Sequence, residues 1–361
     1  GKVVLITGAN AGIGFGTAVA IAKLNPKLYV ACRSREKAEK AIEEIKKQSG
    51  NDNVHFIRLD LNDLDSVDEC AKRFQELETK LDVLINNAGI MGVKTDNRSK
   101  QGFEMTFAVN FLGHFLLTMH LIPLLRNAAP ARVINLSSLT HSRGRIDFNT
   151  LEYWRLLMNE NECDTISEYP LYTRSSLAPS LNSVYSNSKL AMVLFSNELS
   201  DKLSHAGIVS NALCPGIVAT SILEDFGWFT RTFGPPVMKL MTTMGIGVTV
   251  ETAAKTPLLL ASDPEYETMT GKYLAHGKIK QTDPVGSDQI SGKRLWSVSE
   301  DLVRCSKRIQ GYDEISKLFQ SRPIDKAIQQ PRYSPPLPWT KMVSICLGMF
   351  GAFLAVFFLC K

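Results

Sequence analysis

Short apolar runs alternate with helix-spaced amphipathic segments through the first 140 residues, and few architectures accept that rhythm. Val3–Thr7, Leu28–Cys32, Val54–Leu59, Leu81–Asn86 and Arg132–Leu136 read as strands. Ile13–Leu24, Glu36–Gln48, Val67–Leu77 and Phe103–Leu125 carry apolar residues at helical spacing between them. Strands that take turns with helices predict a parallel sheet covered on both faces. Right-handed crossovers then wind it doubly, an α/β fold with its ligands at the carboxyl ends of the strands. The rhythm breaks over 143–182, an insert read as irregular, and resumes with helix Val184–Leu203, strand Ile208–Leu213, helix Val250–Leu260 and a last strand near Lys272–Leu274. Residues 216–247, with Phe226, Trp228, Phe229, Phe233, Met238 and Met241, read as an apolar flap.

Beyond a catalytic domain over 1–280, residues 281–329 read as a helical extension and 330–341 as a proline-rich spacer. Met342–Cys360 is 19 residues without a charge, bracketed by Lys341 and Lys361. As a helix it spans about 28 Å, the thickness of a bilayer's hydrocarbon, and predicts a single-pass C-terminal anchor. Such an anchor places the protein on the endoplasmic reticulum or another intracellular membrane, with the catalytic domain in the cytosol. Gly1 opens the chain without an initiator methionine, which leaves an earlier leader open. The net charge of +5 is not gathered into basic runs, which argues against a nucleic-acid partner. Seven scattered cysteines without Cys-x-x-Cys spacing argue against a disulfide framework and a zinc site. Cys32 and Cys214 read as packing, and no metal is expected.

The turn Thr7-Gly8-Ala9-Asn10-Ala11-Gly12-Ile13-Gly14 joins the first strand to the first helix. Glycines there let the backbone approach a pyrophosphate, whose charge a helix N-terminus stabilises. Gly8, Asn10, Gly12, Ile13 and Gly14 are the candidate contacts. The second strand ends Cys32-Arg33-Ser34-Arg35, with no acid to hold ribose hydroxyls. Arg33 can pair with a 2′-phosphate and Ser34 can add a donor, which selects NADP(H) over NAD(H). Asp60-Leu61 follows the third strand, where an acid can bond the adenine amino group. Asn86-Asn87-Ala88-Gly89 closes the fourth: Asn87, Ala88 and Gly89 allow close approach to the ribose, and the amides can pin neighbouring strands.

Tyr185 and Lys189, four apart on a predicted helix, face the same way. A nearby ammonium, together with an oxidised nicotinamide, brings a phenol toward a working pKa. Ser138, at the end of the fifth strand, can orient the reacting oxygen. Asn110 is expected mid-helix, an unfavourable place for asparagine unless its amide holds a water that feeds protons to Lys189. His114 and His141 read as structural.

These motifs in this order resemble the short-chain dehydrogenase/reductases over about residues 2–280, and within them the retinol-dehydrogenase-like branch. The strings behind the finer likeness are Ala31-Cys32-Arg33-Ser34, Asn110–Leu117 and Ser188–Phe195. The resemblance implies a Rossmann fold, with Tyr185 as proton donor and acceptor, Ser138 positioning substrate, Asn110 as relay, and Pro215, Gly216 and Thr220 at the nicotinamide end. It implies hydride transfer between an alcohol and an aldehyde or ketone, and the expected anchor and apolar flap favour a lipophilic one: a retinoid, steroid or long-chain compound. Two departures stand out: a 47-residue gap from Ser138 to Tyr185, expected to reshape the substrate mouth, and an anchor at the C-terminal end. A homodimer is left open. The rival reading is a membrane-bound, nucleotide-sensing scaffold without turnover.

Overall fold

The computed structural model describes residues 1–91, 97–160, 181–216, 218 and 247–319. Eight strands form one sheet among them, in the order β3-β2-β1-β4-β5-β6-β7-β8. These are β1 (Val3–Thr7), β2 (Lys27–Cys32), β3 (Val54–Arg58), β4 (Val83–Asn86), β5 (Ala131–Leu136), β6 (Ile208–Cys214), β7 (Tyr273–Ala275) and β8 (Lys278–Lys280). All neighbours pair in parallel except β7 and β8. The strand order turns outward in both directions from the β1–β4 pair, which opens a crevice above their carboxyl ends.

Residue parity decides which layer each strand residue feeds. Val3 and Leu5 of β1 face one core and Val4 and Ile6 the other; β5 splits likewise into Ala131 and Val133 against Ile134 and Leu136. The second core is closed by α1 (Gly12–Ala22), α2 (Arg35–Ser49) and α7 (Val250–Ser262). The first is closed by α3 (Leu64–Leu77), α4 (Met105–Asn127), α5 (Phe148–Glu160), α6 (Leu181–Leu203) and α8 (Gln289–Leu302). Ser34 caps α2 by accepting from Lys37 N, and Gly50 ends it at φ 74°. Among the described residues only α4 is long and apolar enough to cross a membrane, and 94% of its apolar window is buried in the fold. It is a core helix. The expected anchor, 342–360, the spacer before it, residues 161–180 of the insert and the flap aromatics lie outside the described residues.

Three local readings change. The insert begins with a helix, α5, because Leu151, Trp154, Leu157 and Met158 recur at helical spacing and are buried. Its acidic and aromatic outer residues hide that period. Asn110 lies not in regular α-helix but in a π-helical segment, Ala108–Leu112, inside α4. Finally β8 adds an antiparallel edge through the turn His276-Gly277, whose φ values of 52° and 70° are the left-handed pair a two-residue hairpin needs.

The extension continues with α9 (Cys305–Arg308) and α10 (Tyr312–Lys317). Trp296 of α8 stacks on Phe195 of α6 at 5.9 Å and meets Phe115 of α4 edge-on at 5.2 Å. Arg308 bonds Asp65 at 2.9 Å and Asp68 at 2.5 Å, and the other oxygen of Asp68 meets His120 at 2.8 Å.

One buried hydrogen-bond chain joins β1 to α4 and the loop after β4. His114 has no exposed surface, and its Nδ1 lies 3.1 Å from the Asn110 carbonyl, which can only accept. Nδ1 therefore carries the proton. Burial drives the imidazole down to about 3, so the ring is neutral and Nε2 accepts from the Thr7 hydroxyl at 2.9 Å. The same Thr7 oxygen accepts from the amides of Asn87 and Ala88, each at 2.9 Å.

Two outcomes follow from these contacts. Arg308→Met should lower unfolding stability by about 2 kcal/mol in urea, since two charge-assisted bonds are lost; an unchanged midpoint would show the extension is held by apolar packing alone. For His114, the unfolded chain takes up a proton near pH 6.5 and the native ring only near 3. Between those values the unfolded state binds more protons, so this contribution is complete above 6.5 and is lost as pH falls. The stability gap between wild type and His114→Gln should therefore narrow by about 1.4 kcal/mol per pH unit on going from pH 6 to 4. A gap constant with pH would refute the neutral buried ring.

Candidate active site

The carboxyl ends of β1, β4, β5 and β6 bring together residues far apart in sequence. Tyr185 and Lys189 lie one turn apart on α6, with Lys189 Nζ 5.6 Å from the Tyr185 ring centre. Lys189 is 4% exposed, and its ammonium donates to the Leu136 carbonyl at 3.1 Å. Ser138 lies just past β5 and caps a short 3-10 turn, Leu139–Arg143. Its oxygen accepts from the Thr140 amide and hydroxyl, both at 3.2 Å. With its acceptor positions taken, the Ser138 O–H is left to donate. A donor there is what a developing oxyanion needs.

Asn110 is engaged on both sides of its amide. Its Oδ1 accepts from Ile90 N at 2.8 Å, and its Nδ2 donates to Ile90 O and Ser188 Oγ, both at 3.0 Å. The amide N–H groups are thus committed to clamping the loop after β4 onto α6, and they are not free to hold a water. What remains is Oδ1: a Cβ at Gly89 would lie 3.4 Å from it and 3.3 Å from Lys189 Nζ. Glycine there leaves the ammonium and the amide oxygen facing one gap, in which an acceptor lone pair is still available.

Without a dinucleotide, burial sets the electrostatics of the two groups. Burial pushes Tyr185 up to about 12, and the Ser138 hydroxyl pulls the other way. Burial lowers Lys189 to about 8. Desolvation leads both shifts, because an ammonium and a phenolate are both costly away from water.

On the cofactor side, α1 begins at Ala11 with no side-chain cap, so its first amides are not claimed by a capping side chain. Gly8 is at φ 68°, and a Cβ on it would come within 2.9 Å of Ala88. A Cβ on Gly14 would be 2.4 Å from Asn87 Nδ2 and 2.5 Å from Gly8 O. Asn87 in turn donates to the Thr7 carbonyl at 2.7 Å, strapping the turn to β4. Asn10, Gly12 and Ile13 lie along the same turn. This close-set cradle of amides fits a pyrophosphate.

Arg33 is exposed at the end of β2 and makes no ion pair among the described residues, whereas Arg35 is paired to Glu39 at 3.0 Å and lies over Phe56. Ser34 accepts from Lys37 N to cap α2, and its hydroxyl proton remains available to donate. Asp60 accepts from Asn62 N at 3.0 Å with one oxygen; Leu61 is buried and packs its backbone against Gly113, so only its main chain is available. Gly216, at φ 92°, follows Pro215 where a Cβ would strike Val248. Thr220 lies outside the described residues.

The sequence reading passed over the residues that hold these groups in place. Ser137 Oγ donates to the Lys189 carbonyl at 2.8 Å, and Ser188 Oγ donates to the Tyr185 carbonyl at 2.7 Å while accepting from Asn110. Each is adjacent in sequence to a catalytic candidate. That adjacency was the available signal.

The profile described as short chain dehydrogenase matches residues 2–150. Human retinol dehydrogenase 13 is 38% identical over 308 residues, covering 84% of this chain and 85% of that one. Mouse retinol dehydrogenase 12 is 36% identical, covering 84% and 86%, and human dehydrogenase/reductase SDR family member 13 is 31% identical, covering 93% and 84%. Among solved structures, a Mycobacterium paratuberculosis protein superposes with a TM-score of 0.61 at 29% identity, covering 84% of this chain and 93% of its own. A Pseudomonas aeruginosa RhlG/NADP complex superposes with a TM-score of 0.57 at 23% identity, covering 76% and 94%, and shares the fold. With a Rossmann sheet, a glycine-lined turn at its switch point and these relatives along most of its length, the chain belongs to the short-chain dehydrogenase/reductase family of oxidoreductases, on its retinol-dehydrogenase-like branch.

Proposed function

We propose that the protein catalyses reversible hydride transfer between NADP(H) and a lipophilic alcohol–carbonyl pair of retinoid, steroid or long-chain type. The observation that carries this reading is the convergence of a phenol, a buried ammonium and a donor-only serine hydroxyl beside the glycine-lined turn. The nicotinamide, when bound, supplies or accepts the hydride. Ser138 donates to the reacting oxygen and orients it. Tyr185 gives that oxygen its proton in reduction and takes it back in oxidation. Lys189, held near 8 by burial, can replace the phenol's proton at neutral pH. Asn110, Ser137 and Ser188 fix the frame.

Arg33 supports NADP(H), since a guanidinium with no protein partner among the described residues matches a 2′-phosphate. Retinol as the relatives' named substrate supports a retinoid-like one here. We further propose that 342–360 anchors the chain in an intracellular membrane, with the catalytic part in the cytosol, where it would meet substrates dissolved in lipid.

NADPH oxidation with all-trans-retinal, a steroid ketone and a medium-chain aldehyde tests the reading. Turnover with at least one, cut by about a thousandfold in Tyr185→Phe with NADPH affinity nearly kept, is the expected result. Tight NADPH binding without turnover of any carbonyl would instead favour a scaffold. Arg33→Asp should weaken NADPH by about tenfold or more and leave NADH unaffected; equal losses for both would refute the cofactor assignment.

A further inference from the structure

Behind Ser138, two residues outside the catalytic set converge on its backbone carbonyl. His141 donates from Nδ1 to the Ser138 carbonyl at 2.7 Å, and its own amide reaches the same oxygen at 3.2 Å. Tyr273, on β7, donates its hydroxyl to that carbonyl at 3.3 Å. The two rings lie 4.6 Å apart and are 4% and 6% exposed. Tyr273 also touches the Cys214 thiol, and the amides of Leu139 and Gly216 both point at that sulfur, the latter at 3.4 Å. The loop carrying Ser138 and the loop carrying Pro215-Gly216 are therefore tied through one buried cluster.

The choice of histidine here is informative. The Ser138 carbonyl can only accept, so Nδ1 holds the ring proton and Nε2 is left as a bare acceptor. That nitrogen is buried and has no hydrogen-bond partner among the described residues. An orphaned buried acceptor is destabilising, and a phenylalanine would fill the same space against Tyr273 without it. What histidine adds over phenylalanine is the donor to Ser138. Tyrosine at 273, facing into the same cluster, adds the second donor.

We propose that His141 and Tyr273 are positioning residues that hold the Ser138 backbone from behind, so that its hydroxyl donates along one fixed direction to the reacting oxygen. The inference rests on the role of Ser138 given above. Neither residue touches substrate; both act through the serine.

Two measurements test it. The first needs no substrate: amide hydrogen exchange at Leu139 and Thr140 in the full chain. Tyr273→Phe and His141→Phe should each speed exchange there about tenfold, His141→Asn, which keeps a donor near the Nδ1 position, should restore most of the protection, and far strands such as β2 should be unaffected. Wild-type protection in both phenylalanine variants overturns the proposal.

The second is a double-mutant cycle on turnover. Tyr273→Phe should lower kcat about five- to tenfold with little change in NADPH affinity, and should cost nothing further in a Ser138→Ala background. Losses that multiply would show Tyr273 acting independently of the serine and overturn the proposal. If the wild type turns over no carbonyl, the proposed function fails while the exchange experiment still decides the positioning.

Discussion

An ammonium sealed in the interior without a carboxylate beside it is the constraint around which the rest of the site is arranged. Lys189 is 4% exposed, donates to one backbone carbonyl, and has no acidic partner among the described residues. Burying such a charge is costly, and its pKa falls to about 8 in consequence. The neighbouring phenol suffers the opposite displacement, up to about 12. Left to themselves the two groups hold protons at the wrong strengths for acid–base exchange. Under the proposed function, the positive charge of an oxidised nicotinamide would favour the phenolate and complete the site electrostatically. The glycine-lined turn and the Tyr185/Lys189 pair share one hydrogen-bonded frame.

The frame consists of small polar residues paired with backbone. Thr7 and His114 join the glycine-lined turn to the π-helical part of α4; Asn110 joins that segment to Ile90 and Ser188; Ser137 joins β5 to α6. Every one of these bonds is buried or half-buried. Asparagine in a helix interior is unfavourable by propensity, and a π-helical distortion often marks a functional position. Here it lets one asparagine clamp a loop by both its amide atoms.

How legible was this beforehand? The strand–helix order, the glycine-lined turn and the Tyr185/Lys189 pair were readable because each is local: a short apolar run, a glycine-spaced turn, a fixed four-residue step. Asn110's true partners were not. They lie 20 and 78 residues away, and only the folded sheet brings them together. The helix over Phe148–Glu160 escaped because its polar outer face masks four apolar positions. The short hairpin strand β8, with exposed Lys278, Ile279 and Lys280, carries no apolar alternation to detect. His141 reads as structural and Tyr273 only as part of a short strand, because their value lies in what they do to a carbonyl, which no side-chain pattern encodes.

The most direct test is a difference titration of the Tyr185 phenolate, following its ultraviolet band in wild type minus Tyr185→Phe, first without dinucleotide and then saturated with NADP+. Without it the phenol should resist ionisation until about pH 12. With it the midpoint should drop by at least about two units as the nicotinamide's charge joins that of Lys189. A midpoint that NADP+ leaves where it was would contradict a site whose proton chemistry depends on the cofactor's charge.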